Sequence, residues 1–152
     1  MTAPKMVVIS RHQAAIEFIA AELVKSMYAT YALFNETSVT IVTEDCEERN
    51  EVVIPLVRGN ARKEDVLNRT VYGNIPLPLS THAECVFCVE FEGTPPRGQE
   101  YSLEDMRMAG AKLEEYRVYS KEQFDSTVKR LEVLDGDLNG RIGWKEFYLN
   151  KN

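Results

Sequence analysis

Apolar residues recur along this chain in short blocks, and the spacing inside each block predicts its element. Residues 6–10, which open on Met6, Val7, Val8 and Ile9 without a polar break, predict a central strand. Over residues 12–31 the period changes. Ala15, Phe18, Ile19, Glu22 and Leu23 fall at helical spacing, an apolar stripe with one acidic residue at its edge. Residues 39–43 are β-branched and predict a second strand, and residues 44–51 a polar, acidic turn. Residues 52–57 are a third apolar run, which either returns as a hairpin or pairs elsewhere. Residues 58–68 are polar and predict a loop with one helical turn around Lys63, Glu64 and Asp65.

The second half alternates in the same way. Residues 70–72 predict a short strand and Gly73 a turn. Pro76 and Pro78 open a helix to about Glu84, since a proline's missing N–H is no loss in a first helical turn. Residues 85–91 predict the next strand and residues 93–98 a Gly/Pro loop. Ser102, followed by Glu104 and Asp105, predicts a helix N-cap, with the helix running to about Tyr119. A last helix over residues 121–134 precedes an acidic turn. Strands alternating with helices imply an α/β fold with a mainly parallel sheet flanked by helices. Residues 1–119 are expected to form that domain and residues 120–152 a helical tail.

Composition narrows the classes. A chain of 152 residues, 44% apolar and 28% charged, suits one domain with a single core. The longest apolar stretch, residues 14–24, carries Glu17 and Glu22 and is too short and too charged to span a bilayer. No cationic start precedes an apolar run and a cleavage site, so a cytoplasmic protein with no membrane partner is expected. The net charge of -6 argues against binding long DNA or RNA, although one small anion needs only a local cluster of donors. Cys85 and Cys88 have the C-x-x-C spacing of a metal or redox pair. Inside a strand, however, residues three apart point to opposite faces, which favours two small buried side chains.

Candidate chemistry gathers at two junctions. In open α/β sheets, ligands bind beyond the carboxyl ends of strands where the connection order reverses. Ser10, Arg11 and His12 sit at one such end, and Gly73, Asn74 and Pro76 at another. Each junction offers backbone N–H groups at a helix start, where the helix dipole favours an anion. Arg11 adds a fixed cation able to grip a phosphate with two donors. His12 can donate or accept a proton near neutral pH. Gly73 permits close approach of a ligand to the backbone, and Asn74 both donates and accepts. Each residue also has a plain structural reading: Ser10 as a cap, Arg11 as a surface charge, His12 as a solvated helix start, Gly73 and Asn74 as a turn. The junctions together predict a phosphate-bearing ligand.

Four blocks in one order carry a family resemblance: residues 8–12, residues 70–76, residues 96–100 and residues 110–118. They resemble a small CRISPR-associated, Csx-type family that accompanies type III systems. The likeness spans about residues 6–119; residues 26–69 are longer than the family's usual connection, and residues 120–152 lie outside it. Ile75 stands for the usual leucine, and Tyr101 for an aliphatic residue. The resemblance implies a Rossmann-like domain related to the CARF sensors of cyclic oligoadenylates. It also implies ring-nuclease activity, which removes that messenger and switches off the antiviral response, with cyclic tetra-adenylate the expected substrate. It assigns Ser10, Arg11 and His12 to catalysis and Gln13, Gly73, Asn74, Pro76 and Arg97 to ligand binding. A ligand with rotationally arranged phosphates matches a two-fold homodimer. Cleavage by an adjacent ribose 2′-hydroxyl needs no catalytic cofactor; the protein holds the hydroxyl in line and stabilises the added charge. Arg11 would do the second task, His12 would move protons, and Arg97 would cover the ligand. A sponge that captures the same ligand without cutting it uses the same residues.

Residues 135–146 fit a calcium loop of EF-hand type. Asp135, Asp137 and Asn139 take its first, third and fifth positions, and Gly140 takes the sharp turn. Arg141 offers its backbone carbonyl, Ile142 is the apolar eighth residue, and Glu146 closes the loop at position 12. The pattern predicts a calcium site in the tail, or else an acidic helix-turn-helix that binds no ion. It also allows a third function, a calcium-responsive interaction protein.

Overall fold

The computed structural model describes residues 5–98 and 100–137, with side chains as far as residue 130. In chain order the elements are β1 (Met6–Ile9), α1 (Gln13–Ser26), β2 (Tyr31–Phe34), β3 (Ser38–Glu44), β4 (Arg49–Val57), α2 (Lys63–Val66), β5 (Thr70–Tyr72), α3 (Leu77–Ser80), β6 (Cys85–Phe91), α4 (Leu103–Met108), β7 (Ala111–Tyr116) and α5 (Lys121–Asp137). One seven-stranded sheet runs β2-β3-β4-β1-β5-β6-β7. Its centre, β4-β1-β5-β6, is parallel, and its flanks, β2-β3-β4 and β6-β7, are antiparallel. The fold is therefore α/β, with a mixed sheet flanked by helices.

The apolar run of β1 belongs at the centre because both of its faces are covered. Val8 packs into a cluster with Ile16, Ile19 and Leu23 of α1 and Met106 of α4. Val7 and Ile9 point the other way and join Val66, Val71, Ala83 and Val86 under α2 and α3. Alternate side chains of one strand thus serve two cores, as a parallel centre requires. In α1, Ala15, Phe18, Ile19 and Leu23 of the predicted stripe are buried, and Ile16 and Ala20, outside it, are buried as well. Cys85 and Cys88 stay free thiols; Cys85 bonds Thr70 at 3.6 Å and Cys88 packs in the second core.

Five expected elements differ. The first helix stops at Ser26 instead of reaching residue 31. Tyr28 takes a left-handed φ of 52°, and the chain closes with Tyr28 N–H donating to Lys25 at 3.3 Å and Ala29 N–H to Val24 at 2.8 Å. That is a Schellman closure with tyrosine where glycine usually sits, so the usual stop signal is missing from the sequence. The acidic turn expected over residues 44–51 is confined to residues 45–48, with Glu44 and Arg49 already in strands. β3 and β4 form a hairpin whose short bend is held by Asp45 Oδ1, which accepts from Glu47 N–H at 2.8 Å and Glu48 N–H at 2.7 Å. Those two bonds hold the Asp45 carboxyl below the usual carboxylate range.

The predicted helix over residues 102–119 divides in two. α4 ends at Met108, Gly110 turns the chain with φ 72°, and β7 returns antiparallel to β6 with Ala111 opposite Phe91. The proline-led helix is a single turn, α3, and α5 continues through Asp137 rather than stopping near Leu134. No described helix is long and apolar enough to cross a membrane.

Because Tyr28 holds a conformation that costs an L-residue about 1 kcal/mol, Tyr28→Gly should leave the fold intact and raise its stability by up to that amount in urea unfolding. A clear loss of stability would mean that the ring, 92% exposed, contributes more than its backbone costs.

Candidate functional site

The parallel centre has a topological switch point. β1 lies between β4 and β5, and the chain reaches those neighbours from opposite sides of the sheet. A cleft of about 600 Å³ opens there, above the carboxyl ends of these strands. That volume falls within the roughly 300–1,000 Å³ usual for small-molecule sites. Its floor is apolar, formed by Ile9, Ile19, Val89, Phe91 and Met106. Its rim is polar and comes from three connections: Ser10, Arg11 and His12 after β1, Asn60 after β4, and Asn74 after β5.

Local chemistry fixes each part of the rim. Ser10 N–H donates to the Val57 carbonyl at 3.1 Å, continuing the β1–β4 ladder by one residue. The Ser10 hydroxyl then accepts from His12 N–H at 3.2 Å, so it shapes the strand-to-helix bend. His12 is the N-cap of α1, but its side chain caps nothing and the first turn holds no acidic residue. The positive end of a 14-residue helix therefore meets the cleft uncompensated, with Ala15 of the first turn among its walls. The Arg11 guanidinium donates to Asn60 Oδ1, which aims a fixed cation across the mouth. Among the described residues lining the cleft, Arg11 alone carries a fixed charge.

The second junction is more structural than its sequence suggests. A Cβ on Gly73 would lie 1.9 Å from the Ile9 carbonyl oxygen, and φ is +139°. Glycine is required there by the neighbouring strand, not by a ligand. Asn74 is also occupied: its Nδ2 donates to the Val89 carbonyl at 3.1 Å, and its Oδ1 accepts from Val89 N–H at 2.7 Å. The amide therefore closes the end of β6 as a backbone pair would. Pro76 lines the cleft and accepts from Leu79 and Ser80 with its carbonyl.

Six of the predicted residues thus share one cleft: Ser10, Arg11, His12, Gly73, Asn74 and Pro76. Gln13 and Arg97 are not among its lining. The Gln13 side chain accepts from Arg58 Nη1 at 2.8 Å and donates to Glu17 at 3.3 Å. Arg97 is exposed on the loop after β6. Two contributors have no sequence motif behind them. Asn60 follows Gly59, whose φ of +145° turns the chain after β4. Tyr101 lies 5.0 Å from His12 between ring centroids, tilted at 38°, and burial pushes its phenol up from the ordinary value. Its place directly before the Ser102 cap was the available signal for it.

Of the expected calcium ligands, Asn139, Arg141 and Glu146 lie outside the described residues. Asp135 and Asp137 fall on the last turn of α5, where only the backbone path is described. Among the described residues, no cluster of three or more His, Cys, Asp or Glu side chains is arranged to hold a metal ion. No protein-family model, curated protein or solved structure matches the chain.

Asn74→Ala should strip both partners from the Val89 backbone and cost about 2–4 kcal/mol in chemical denaturation. Gly73→Ala should cost about 3 kcal/mol or more, because both the contact and the backbone conformation resist a Cβ. Near-wild-type stability of either variant would refute these structural roles.

Proposed function

We propose that this cleft binds a cyclic oligoadenylate and cuts it, making the chain a ring nuclease of type III CRISPR signalling built on a Rossmann-like, CARF-related domain. The observation that carries the reading is the meeting of two resembling blocks at one cleft. Residues 8–12 and residues 70–76 are far apart in the chain, yet both reach the same hollow. The polar rim with its helix end suits a phosphate, and the apolar floor suits the flat face of a base.

In this reading a ribose 2′-hydroxyl attacks its adjacent phosphorus. A new 2′-oxygen–phosphorus bond forms, the bond from phosphorus to the 5′-oxygen breaks, and the product end is a 2′,3′-cyclic phosphate. The 2′-hydroxyl gives up one proton, and the departing 5′-oxygen gains one. In this reading His12, on the rim, carries that proton, and Arg11 with the amides at the start of α1 offsets the charge that builds on the phosphoryl oxygens. Asn60 holds the guanidinium, which lowers the ordering cost of binding. A two-fold dimer would set two such clefts around one ring. The calcium loop read at residues 135–146 remains a separate proposal, with no part in these steps.

Purified protein incubated with cyclic tetra-adenylate in EDTA should give linear products on chromatography. Arg11→Ala should cut about a hundredfold more slowly or worse. Intact but retained ligand would favour a sponge, no interaction would favour the calcium-responsive reading, and an Arg11→Ala protein at full rate would remove the central role.

A further inference from the structure

We infer that Tyr101 is a positioning residue that fixes the orientation of the His12 imidazole; its consequence for rate rests on the ring-nuclease reading. The backbone of His12 is already held on both sides. Its N–H donates to Ser10 Oγ at 3.2 Å, and its carbonyl accepts from Ile16 N–H at 3.1 Å. What remains free is the rotation of the side chain. Among the described residues, neither ring nitrogen has a hydrogen-bond partner, and the ring contact of the imidazole is with Tyr101, 5.0 Å away between centroids.

Tyr101 is itself well anchored. It precedes Ser102, the N-cap of α4, whose Oγ accepts from Asp105 N–H at 3.1 Å while Asp105 Oδ2 accepts from Ser102 N–H at 2.9 Å. Tyr101 and Met106 therefore occupy the two positions of a hydrophobic staple around that capping box. Met106 is 1% exposed, and Tyr101 packs against the same core cluster. The phenol ring is thus fixed to a capped helix start and carries its order across the cleft to His12. A carboxylate in its place would bind one ring nitrogen and select one tautomer. An aromatic contact limits ring rotation and leaves both nitrogens open. That suits a group that must take a proton from one oxygen and return one to another.

The test combines kinetics with imidazole NMR on Tyr101→Phe, Tyr101→Leu and the same changes in a His12→Ala background; Tyr101→Met substitutes if the leucine variant does not fold. With cyclic tetra-adenylate as substrate, Tyr101→Leu should lower kcat about tenfold to a hundredfold with little change in KM. Tyr101→Phe, which keeps the ring, should lose less than about threefold. In the His12→Ala background, Tyr101→Leu should cause no further loss. The His12 ring resonances should be shifted upfield in the wild type and lose that shift in Tyr101→Leu, with His82 unchanged as the internal reference. An equal loss with and without His12, an effect confined to KM, or His12 resonances identical in the two proteins would each overturn the inference. If the wild-type chain cuts nothing, the ring-nuclease reading fails, and the resonances alone decide whether Tyr101 orients His12.

Discussion

The tips of β1 and β5 touch more closely than side chains allow. At Gly73 a Cβ would stand 1.9 Å from the Ile9 carbonyl oxygen, so the two strands meet there by backbone alone. This contact sets how far apart the two junctions stand. Ser10 is tied to the end of β4, Gly73 N–H donates to Phe87 at 2.9 Å, and Asn74 pairs with Val89. Four parallel strands are thereby fastened at their carboxyl ends, each to its neighbour. A site built on such a frame holds its rim residues without needing the ligand to organise them, which lowers the ordering cost of binding.

The frame depends on the central strands being covered on both faces. β1 sends Val8 to one core and Val7 and Ile9 to the other. A register slip of one residue would exchange those sets and place both cores wrongly, so the registers to β4 and β5 are strongly specified. The flanks leave more apolar side chain exposed. In β3, Val39 and Ile41 lie under α1, while exposed Val53 and Leu33 occur on the neighbouring strands. The antiparallel flank therefore widens the sheet beside the switch point without altering the four strands that make the cleft.

The α/β class, the positions of β1, β5 and β6, the Ser102 cap and the cleft side of β1 were legible because each follows from a local rule. Apolar runs, a serine before acidic residues and a polar junction after a buried strand need no distant partner to be read. The misread regions depended on distant partners. Tyr28 ends α1 through its own strained backbone, with no glycine to announce it. Residues 111–116 alternate weakly and gain their identity from pairing with β6, a tertiary bond that no window of sequence contains. Asn74 shows the same limit within the site. Its donor and acceptor suggested a ligand contact, yet both serve Val89, a residue of the next strand. Tyr101 was legible as the residue before a cap but not as the neighbour of His12, since α4 had to fold back over α1 to bring them together.

Charge raises one further constraint on the proposed ligand. The whole chain carries a net charge of -6, so at long range it repels a polyanionic ring. At physiological ionic strength that repulsion is screened beyond about 8 Å, and what the ligand meets at contact is the local rim. There Arg11 and the uncapped start of α1 present positive potential with no acidic side chain in the helix's first turn. Long duplexes would touch the acidic surface as well as the rim, whereas a small ring can lie within the rim alone. The same distribution of charge that disfavours extended nucleic acid is therefore compatible with capture of a compact one.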